Sequence, residues 1–439
     1  MSPADDATAG LAPRRLALDG VAETLRAKTS LDDVLAARGA RLAMEPRDRA
    51  LARAIAVATM RRLGTIRTAI AQRLDRPVED PRLEALLAIG AAQILFLDVP
   101  DHAAVGTAVA IASADRRLAR AGGLVNAVLR RIAREAEAIR AEAAADPMRD
   151  TPDWLAARWR KTYGADVAGA IARACRAEAD LDLTTRGDPA EWVAPLDAIL
   201  LPTGSLRLRQ RTPVPDLPGY AEGAWWVQDA AAAMPARLLA PRPGERIADL
   251  CAAPGGKTAQ LAAAGARVLA VDRSRERLAR LEENLARLRL EAEIRVADAT
   301  ALPEREAFDA VLVDAPCSST GTLRRHPDVA WTKSEADIAA LAAIQTRLID
   351  AAIALVRPGG RIVYCTCSLE PEEGEAQART ALEQHPGLVR EPIRPEEVGG
   401  LAAAVTRKGD LRILPSHALL PEAPGLDGFF AARFRRAST

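Results

Sequence analysis

The sequence RIADLCAAPGGKT, residues 246–258, decides the fold of the C-terminal half of this chain. An apolar run from Ile247 to Leu250 has the length of a strand, the residues PGG at 254–256 break it, and a helix-forming segment begins at Thr258. Doubly wound α/β folds bind nucleotide-like ligands at such turns, because glycines let backbone N–H groups approach the ligand and helix N-termini favour polar groups. The stretch therefore predicts a cofactor site.

Two kinds of ligand fit a glycine turn of this type. The residues GGKT at 255–258 resemble the end of a phosphate-binding P-loop, but a P-loop requires glycine at the position of Cys251. An adenosine-sugar site instead requires an acidic residue after the second strand, about 20 residues downstream, and Asp272 ends the run RVLAVD there. We therefore favour an adenosine-sugar site over a phosphate site, and over an ordinary strand–helix turn without a ligand.

Strands and helices alternate regularly after Asp229, which predicts a mostly parallel sheet covered by helices on both faces. In such a sheet, ligands bind at the carboxyl ends of the strands. The predicted strands are 246–250, 267–271, 293–297, 308–313 and 360–366, and the predicted helices are 229–240, 257–264, 274–289, 335–356 and 371–384.

The part of the chain before residue 229 has a different pattern. From about Leu11 to Ala145 it is rich in Ala, Leu and Arg and predicts only helices, with Leu83 to Leu97 as the central buried helix of a bundle. We predict three parts: a helical domain at 1–145, linker helices with a small α/β insert at 146–228, and an α/β Rossmann-like domain at 229–439.

The composition limits the class of protein. The net charge of +1 means that any contact with nucleic acid must come from a local basic face. Five sparse cysteines fit reduced thiols in a cytoplasm, the acidic N-terminus MSPADDATAG does not resemble a signal peptide, and Leu83 to Leu97 is too short to span a bilayer. Any one arginine cluster is typical of a solvated helix face, but three clusters in one bundle strengthen the case for a phosphate-contacting surface: Arg61, Arg62 and Arg67; Arg116, Arg117 and Arg120; Arg130, Arg131 and Arg134.

Two predicted loops at the ligand-binding edge of the sheet each carry a cysteine: DAPCSSTG at 314–321 and TCS at 366–368. A thiolate that adds to carbon 6 of a cytosine makes carbon 5 nucleophilic enough to accept a methyl group, which divides a difficult reaction into easier steps. A carboxyl group such as Asp314 would hold the base and stabilise the adduct. Spacing alone does not indicate whether Cys317 or Cys367 attacks.

Several motifs give the chain a resemblance to a known family. It resembles, nearly end to end, the Sun/Fmu/RsmB family of bacterial ribosomal RNA cytosine-5 methyltransferases, and its N-terminal part is similar to the RNA-binding NusB fold. The motifs are DLCAAPGGKT (249–258), DAPCSSTGTLRRHPDVAW (314–331), YCTCSLEPEEGE (364–375) and DGFFAARF (427–434), with HAAVGTAV (102–109) and GGLVNAVLRR (122–131) in the NusB-like part.

The resemblance implies a class I methyltransferase domain that uses S-adenosylmethionine, with Cys367 as nucleophile and Cys317 assisting product release. It also implies a target in 16S ribosomal RNA, at position 967, and a monomeric cytoplasmic enzyme without a metal or a membrane. The cytosine must be single-stranded or flipped out, because a thiol cannot reach a base inside a helix. The implied cofactor contacts are Cys251, Ala252, Ala253, Pro254, Gly255, Gly256, Lys257, Asp272, Asp298 and Asp314.

Two positions depart from the family pattern: Ser319 replaces a common glycine, and Cys365 replaces a common small residue. Arg324 to Asp328, RRHPD, is predicted to contact substrate phosphates. The alternatives are an RNA-binding or antitermination factor with a vestigial methyltransferase fold, and a nucleotide hydrolase that binds ATP at Lys257 and Thr258. The intact thiols, carboxylates and glycines favour the methyltransferase.

Overall fold

The computed structural model describes residues 10–210 and 212–438. They form two compact units, the first comprising the described residues up to Ala177 together with Leu323–Ser334, and the second comprising the rest. The three-part division at residues 145 and 228 stays a prediction from sequence, and the compact units divide the chain at Ala177 instead. The N-terminal residues 1–9, used above to argue against a signal peptide, lie outside the described residues.

The first unit is helical, and its central helix is the one predicted. The Asp80 carboxylate caps this helix by accepting from Arg82 N at 2.8 Å, with Pro81 at the first helical position. Every residue from Ala85 to Leu95 is buried. The helices are α1 (Leu11–Ala27), α2 (Leu31–Arg41), α3 (Pro46–Arg61), α4 (Leu63–Ala71), α5 (Pro81–Phe96), α6 (Asp101–Ala114), α7 (Gly122–Arg134), α8 (Ala136–Ala145), α9 (Asp153–Tyr163) and α10 (Ala165–Arg176).

Residues 323–334, which follow the Cys317 loop in the chain, fold as part of this helical unit. They include a short helix, Val329–Thr332. The Trp331 indole N–H donates to Met60 O at 2.9 Å, and the Asp328 carboxylate accepts from Leu31 N at 3.1 Å. The motif RRHPDVAW therefore begins beside the cysteine loop in sequence and ends inside the helical unit.

The second unit contains a small antiparallel sheet and a larger mixed sheet. The small sheet has the strand order β2-β3-β1-β4, and the large sheet has the order β10-β14-β9-β8-β5-β6-β7, with β11 also paired to β14. The strands are β1 (Asp182–Thr185), β2 (Ala198–Leu200), β3 (Leu206–Leu208), β4 (Trp225–Val227), β5 (Arg246–Leu250), β6 (Arg267–Asp272), β7 (Glu293–Val296), β8 (Phe308–Asp314), β9 (Val356–Thr366), β10 (Leu388–Arg390), β11 (Leu411–Ile413), β12 (Ala418–Leu420), β13 (Ala423–Pro424) and β14 (Phe429–Arg436).

The five strands β5 to β9 pair in parallel, and both faces of the central strands are buried, whereas the edge strand β7 has no buried residue. Along β8, Ala310 and Leu312 pack into one apolar cluster, whereas Val311 and Val313 pack into another on the opposite face. The prediction of a parallel sheet covered on both faces is therefore confirmed. The helices of this unit are α11 (Ala230–Leu238), α12 (Gly256–Ala263), α13 (Arg275–Leu288), α14 (Glu335–Leu355) and α15 (Glu375–Gln384).

The antiparallel strand β14 was not predicted. It carries the motif DGFFAARF and pairs with β9, so that Phe430 lies opposite Thr366 and Phe434 opposite Ile362. Phe430 and Phe434 are fully buried in the core. The motif is therefore a structural strand that extends the sheet beyond β9.

Within the described residues, one helix, α14, is long and apolar enough to span a membrane, with a mean hydropathy of 1.7 over its most apolar window. The sequence predicts a helix at 335–356, but only Leu83 to Leu97 was considered there as a membrane span. Leu348, Ile349 and Ala352 of α14 pack into the same core as β8 and β9. These contacts identify α14 as a helix that covers the sheet.

Candidate active site

The glycine turn after β5 begins α12 at Gly256. Gly255 has a φ of +105°, and a Cβ there would lie 2.7 Å from Leu281 Cγ, so both the backbone conformation and the space require glycine. The buried Asp249 carboxylate accepts from the Thr258 hydroxyl at 2.6 Å and so ties the end of β5 to the first turn of α12. The turn has the architecture predicted from the sequence.

A cavity lies at this edge of the sheet. The Asp272 carboxylate accepts from Ala253 N at 3.3 Å and from Ser274 N at 2.9 Å, which holds it at the cavity wall. Hydrogen bonds from the Thr300 hydroxyl and amide lower the pKa of Asp298. The cavity is lined by Cys251, Val271, Asp272, Arg273, Arg277, Ala297, Asp298, Ala299, Thr300, Pro316, Ile344, Arg347 and Leu348.

The cavity brings together three of the predicted cofactor residues: Cys251, Asp272 and Asp298. Burial raises the pKa of the Cys251 thiol to about 12, so this cysteine remains a protonated wall residue. The other predicted contacts do not line the cavity: Ala252, Ala253, Pro254, Gly255, Gly256, Lys257 and Asp314.

Lys257 lies against a carboxylate. Its ammonium group donates to Asp314 Oδ2 at 2.7 Å, and the Cys365 thiol donates to Asp314 Oδ1 at 3.5 Å. Burial alone would lower the pKa of Lys257, but the Asp314 carboxylate raises it, so the ammonium stays charged. Burial raises the pKa of Cys365 well above its usual value, which keeps this thiol protonated. A lysine held in this way is not presented to a nucleotide phosphate.

Asp249 lies near this charged group. Burial is the main reason that its pKa rises to about 7, and the neighbouring carboxylates of Asp314 and Asp272 add to the effect. Asp249 Oδ1 is buried and has no hydrogen-bond partner. Asp249 therefore keeps its proton to a higher pH than an exposed aspartate would.

The two predicted active-site thiols lie next to each other, with Cys317 Sγ 3.5 Å from Cys367 Sγ. The hydrogen bond from Cys317 lowers the pKa of Cys367, and a further contribution comes from Ser319, whose Oγ lies 3.6 Å from Cys367 Sγ. The same bond and burial raise the pKa of Cys317 well above its usual value. Of the two sulfurs, Cys367 is therefore the one that loses its proton more readily.

Ser319 has a φ of +60°, in the left-handed region that favours glycine. The glycine that the resemblance implies at this position would adopt this conformation without strain. Serine accepts the unfavourable backbone conformation and places a hydroxyl near Cys367 that glycine would lack. The departure from the family pattern thus has a local chemical consequence.

Sequence reasoning missed Gly428 and Glu373. A Cβ on Gly321 would lie 2.0 Å from Gly428 O, and Gly428 N donates to Gly321 O at 2.8 Å, so the start of β14 supports the Cys317 loop directly. Glu373 is fully buried between the two cysteine loops. Its sequence context, LEPEEGE, indicates only a solvent-exposed helix start.

The first of the three predicted arginine clusters is partly engaged in ion pairs, whereas the arginines of the other two clusters are exposed: Arg116, Arg117, Arg120, Arg130, Arg131 and Arg134. Arg62 pairs with Asp150 at 3.1 Å, and Arg67 pairs with Glu84 at 2.8 Å. Arg324 is only 3% exposed, contrary to the predicted phosphate contact at this residue. The Arg324 backbone carbonyl instead accepts from a guanidinium of α3 at 3.0 Å.

Comparison with known proteins gives the family. Residues 236–435 match the family model for 16S rRNA methyltransferase RsmB/F, and residues 11–134 match the NusB family. A ribosomal RNA small subunit methyltransferase B from Xanthomonas campestris is 36% identical over the full length of both chains. This chain belongs to the RsmB family of 16S rRNA methyltransferases. The Yersinia enterocolitica relative of the same name is 37% identical, with 85% of this chain and 90% of the relative covered.

Solved structures confirm the fold expected of an RsmB-family member. The crystal structure of PH0851 shares it with a TM-score of 0.76 at 24% identity, covering 97% of this chain and 99% of that chain. A methyltransferase homologue from Pyrococcus horikoshii has a TM-score of 0.53 at 26% identity, covering 64% of this chain and 93% of that chain. A NusB-like helical domain followed by an S-adenosylmethionine-dependent methyltransferase fold is thus confirmed.

Proposed function

We propose that this RsmB-family chain methylates carbon 5 of a cytosine in 16S ribosomal RNA, with Cys367 as the nucleophile and S-adenosylmethionine as the methyl donor. The observation that carries the proposal is the pair of sulfurs 3.5 Å apart, in which hydrogen bonding favours the thiolate on Cys367. Cytosine carbon 5 is a methylation target that requires a thiolate, whereas oxygen or amino-nitrogen targets do not.

The residues around the cavity suit S-adenosylmethionine. Asp272 is the last residue of β6, the strand that follows the glycine turn and α12. Its carboxylate lines the cavity and would accept hydrogen bonds from the ribose hydroxyls. The adenine would lie between apolar walls formed by Ile344 and Leu348, and Asp298 would supply a polar group there. When bound, the cofactor supplies a methyl group whose acceptor is the activated cytosine.

The proposed first step is the attack of the Cys367 thiolate on cytosine carbon 6. A carbon–sulfur bond forms, and the electron pair of the carbon 5–carbon 6 double bond moves into the ring, which makes carbon 5 nucleophilic. The Cys317 S–H stabilises the thiolate before attack by donating to it. A free thiol is only a few per cent ionised near pH 7, so this donation increases the reactive fraction.

Asp314 and Lys257 would act on the cytosine ring. The Asp314 carboxylate is the group proposed to accept a hydrogen bond from the amino group of the base. The Lys257 ammonium, 2.7 Å from that carboxylate, places a positive charge where thiolate addition makes the ring more negative. Lys257 has low exposure, so this charge is little screened by water.

The last proposed step restores the aromatic ring. Carbon 5 loses its proton to a base, the carbon 6–sulfur bond breaks, and its electron pair returns to Cys367. Cys317 is the group placed to assist this release, because its sulfur lies nearest to that of Cys367. We further propose that the target cytosine is single-stranded or flipped out, and that the protein acts as a monomer in the cytoplasm.

The test is methylation by the purified full-length chain of 16S rRNA, or of small subunits lacking this modification, followed by bisulfite sequencing. We expect one newly protected cytosine, at the position implied by the family, and none with Cys367→Ser. Protection by Cys367→Ser at the wild-type level would overturn the nucleophile assignment. Tight RNA binding without methyl transfer by the wild type would favour the binding-factor alternative.

A further inference from the structure

A buried carboxylate that the reaction itself does not use lies between the two thiol loops. We propose that Glu373 is a positioning residue that sets the spacing, and hence the thiolate content, of the Cys317–Cys367 pair. The catalytic meaning of that pair rests on the proposed function. Glu373 is completely buried and ends a 3₁₀ turn, Pro371–Glu373.

One side of the Glu373 carboxylate holds the Cys317 loop. Ser318 N donates to Oε1 at 2.9 Å, and the Ser318 hydroxyl donates to Oε2. Ser318 directly follows Cys317 and is itself fully buried. These two hydrogen bonds fix both the backbone and the side chain of Ser318. They therefore also fix the direction in which the Cys317 side chain points from the backbone.

The same carboxylate holds the Cys367 loop. The Ser368 hydroxyl donates to Glu373 Oε2 at 2.6 Å, and Ser368 directly follows Cys367. The hydroxyl oxygens of Ser318 and Ser368 lie 3.1 Å apart. The oxygen Oε2 thus receives a hydroxyl from the neighbour of each thiol, and it joins two loops 50 residues apart in sequence.

Glu373 is anchored from its other side by the rest of the fold. Gln345 of α14 donates from Nε2 to Oε1 at 3.1 Å and to Pro316 O at 2.9 Å. The backbone carbonyl of Glu373 accepts from Tyr364 OH at 2.7 Å and from Thr366 Oγ1 at 3.1 Å. Glu373 is therefore fixed to α14 through its carboxylate and to β9 through its backbone carbonyl.

The network requires a carboxylate rather than an amide. Four N–H or O–H donors converge on its two oxygens, and a carboxylate is the side chain that accepts at both oxygens. Glutamine has nearly the same shape, but its NH₂ group would face other donors in a fully buried site. Glu373→Gln should therefore change the position of at least one loop without leaving a cavity.

The consequence can be measured on the thiols without RNA or cofactor. Cys367 owes its lowered pKa first to the hydrogen bond from Cys317, whose sulfur is already 3.5 Å away, so a small separation weakens it. We expect Glu373→Gln to shift the pH midpoint for alkylation of Cys367 upward, toward the value of about 8.5 for a free thiol. The probe is iodoacetamide, with mass spectrometry to locate the modified cysteine.

The matched control is Glu372→Gln, the same substitution at an exposed neighbour, for which we expect a wild-type profile. Ser318→Ala and Ser368→Ala each remove one hydroxyl and keep the carboxylate, and we expect smaller shifts in the same direction. If the serines transmit the effect, adding Ser368→Ala to Glu373→Gln produces less than the sum of the two single shifts. If Glu373→Gln does not fold, the two serine variants decide the question.

In the methylation assay, Glu373→Gln should lower kcat at least tenfold and leave the KM for RNA and S-adenosylmethionine binding within twofold of wild type. A folded Glu373→Gln with the wild-type alkylation profile, or serine variants with no shift, would overturn the positioning role. Failure of the proposed function has a different signature, because the wild type would then show a lowered alkylation midpoint at Cys367 and still not methylate any cytosine.

Discussion

The sulfur of Cys317 lies 3.5 Å from the sulfur of Cys367, although the two residues follow different strands and are 50 positions apart in the chain. The relationship is not symmetrical, because the pKa of Cys367 is lowered while that of Cys317 is raised. The difference follows from the hydrogen bond between the two sulfurs, together with a further contribution to Cys367 from Ser319. Cys367 is therefore the sulfur of the pair that ionises more readily.

This asymmetry predicts opposite behaviour for two cysteine variants. With RNA containing 5-fluorocytosine, Cys367→Ala should form no covalent adduct and should lose more than about 10³-fold of the methylation rate. Cys317→Ala should still form an adduct, and on ordinary RNA that adduct should persist because release is impaired. Denaturing gels measure both. An adduct retained by Cys367→Ala and lost by Cys317→Ala would mean that the roles are reversed.

Two substitutions at Ser319 should separate the effect of its hydroxyl from the effect of its strained backbone. Ser319→Gly removes both the hydroxyl near Cys367 and the backbone strain of φ +60°, whereas Ser319→Ala removes only the hydroxyl. Both variants should raise the alkylation midpoint of Cys367 by a similar amount. Only Ser319→Gly should gain stability, by about 1 kcal/mol, because glycine adopts this conformation freely. Urea unfolding together with alkylation profiles tests this, and equal stabilities of the two variants would refute the strain argument.

The pair formed by Lys257 and Asp314 predicts ligand selectivity. Since the Lys257 ammonium is 2.7 Å from Asp314 Oδ2, it is not available to a triphosphate. Calorimetry should therefore detect binding of S-adenosylmethionine and none of ATP. Asp272→Ala should weaken S-adenosylmethionine binding at least tenfold, whereas Asp188→Ala, an exposed aspartate of the small insert, should not. Binding of ATP alone would support the nucleotide hydrolase.

The sequence predicted those features of the fold that local patterns determine. The apolar runs predicted strands β5 to β9 within a few residues of their bounds, although β9 begins earlier than expected. The shared edge of the parallel strands brings Asp272, Asp298 and Cys251 to one cavity. The pairing of β14 with β9 was not predictable, because it joins segments about 65 residues apart whose partners are chosen by packing.

Glu373 shows the same limit at the active site. Its neighbours Pro371, Glu372 and Gly374 indicate a polar turn, and no local pattern distinguishes its buried carboxylate from the exposed one beside it. Its burial depends on Ser318, which is 55 residues away. Likewise, the chemical effect of Ser319 could not be deduced, because it depends on a left-handed backbone conformation at a residue that is not glycine.

The buried Asp249 predicts a pH dependence of stability. Its folded-state pKa of about 7 lies above the unfolded value of about 3.9, so the folded protein binds more protons than the unfolded chain between these values. The contribution of Asp249 to stability is therefore fully present below about pH 4 and is lost as the pH rises toward 7, by up to roughly 4 kcal/mol.

Asp249→Asn keeps an acceptor for the Thr258 hydroxyl but has no proton to lose. Its free energy of unfolding should therefore increase relative to wild type between pH 5 and pH 8 and change little above that. Urea titrations of both proteins at several pH values measure the difference between their free energies of unfolding. The contributions of all other carboxylates cancel in this difference. A constant difference across this range would show that Asp249 is ionised throughout in the folded protein.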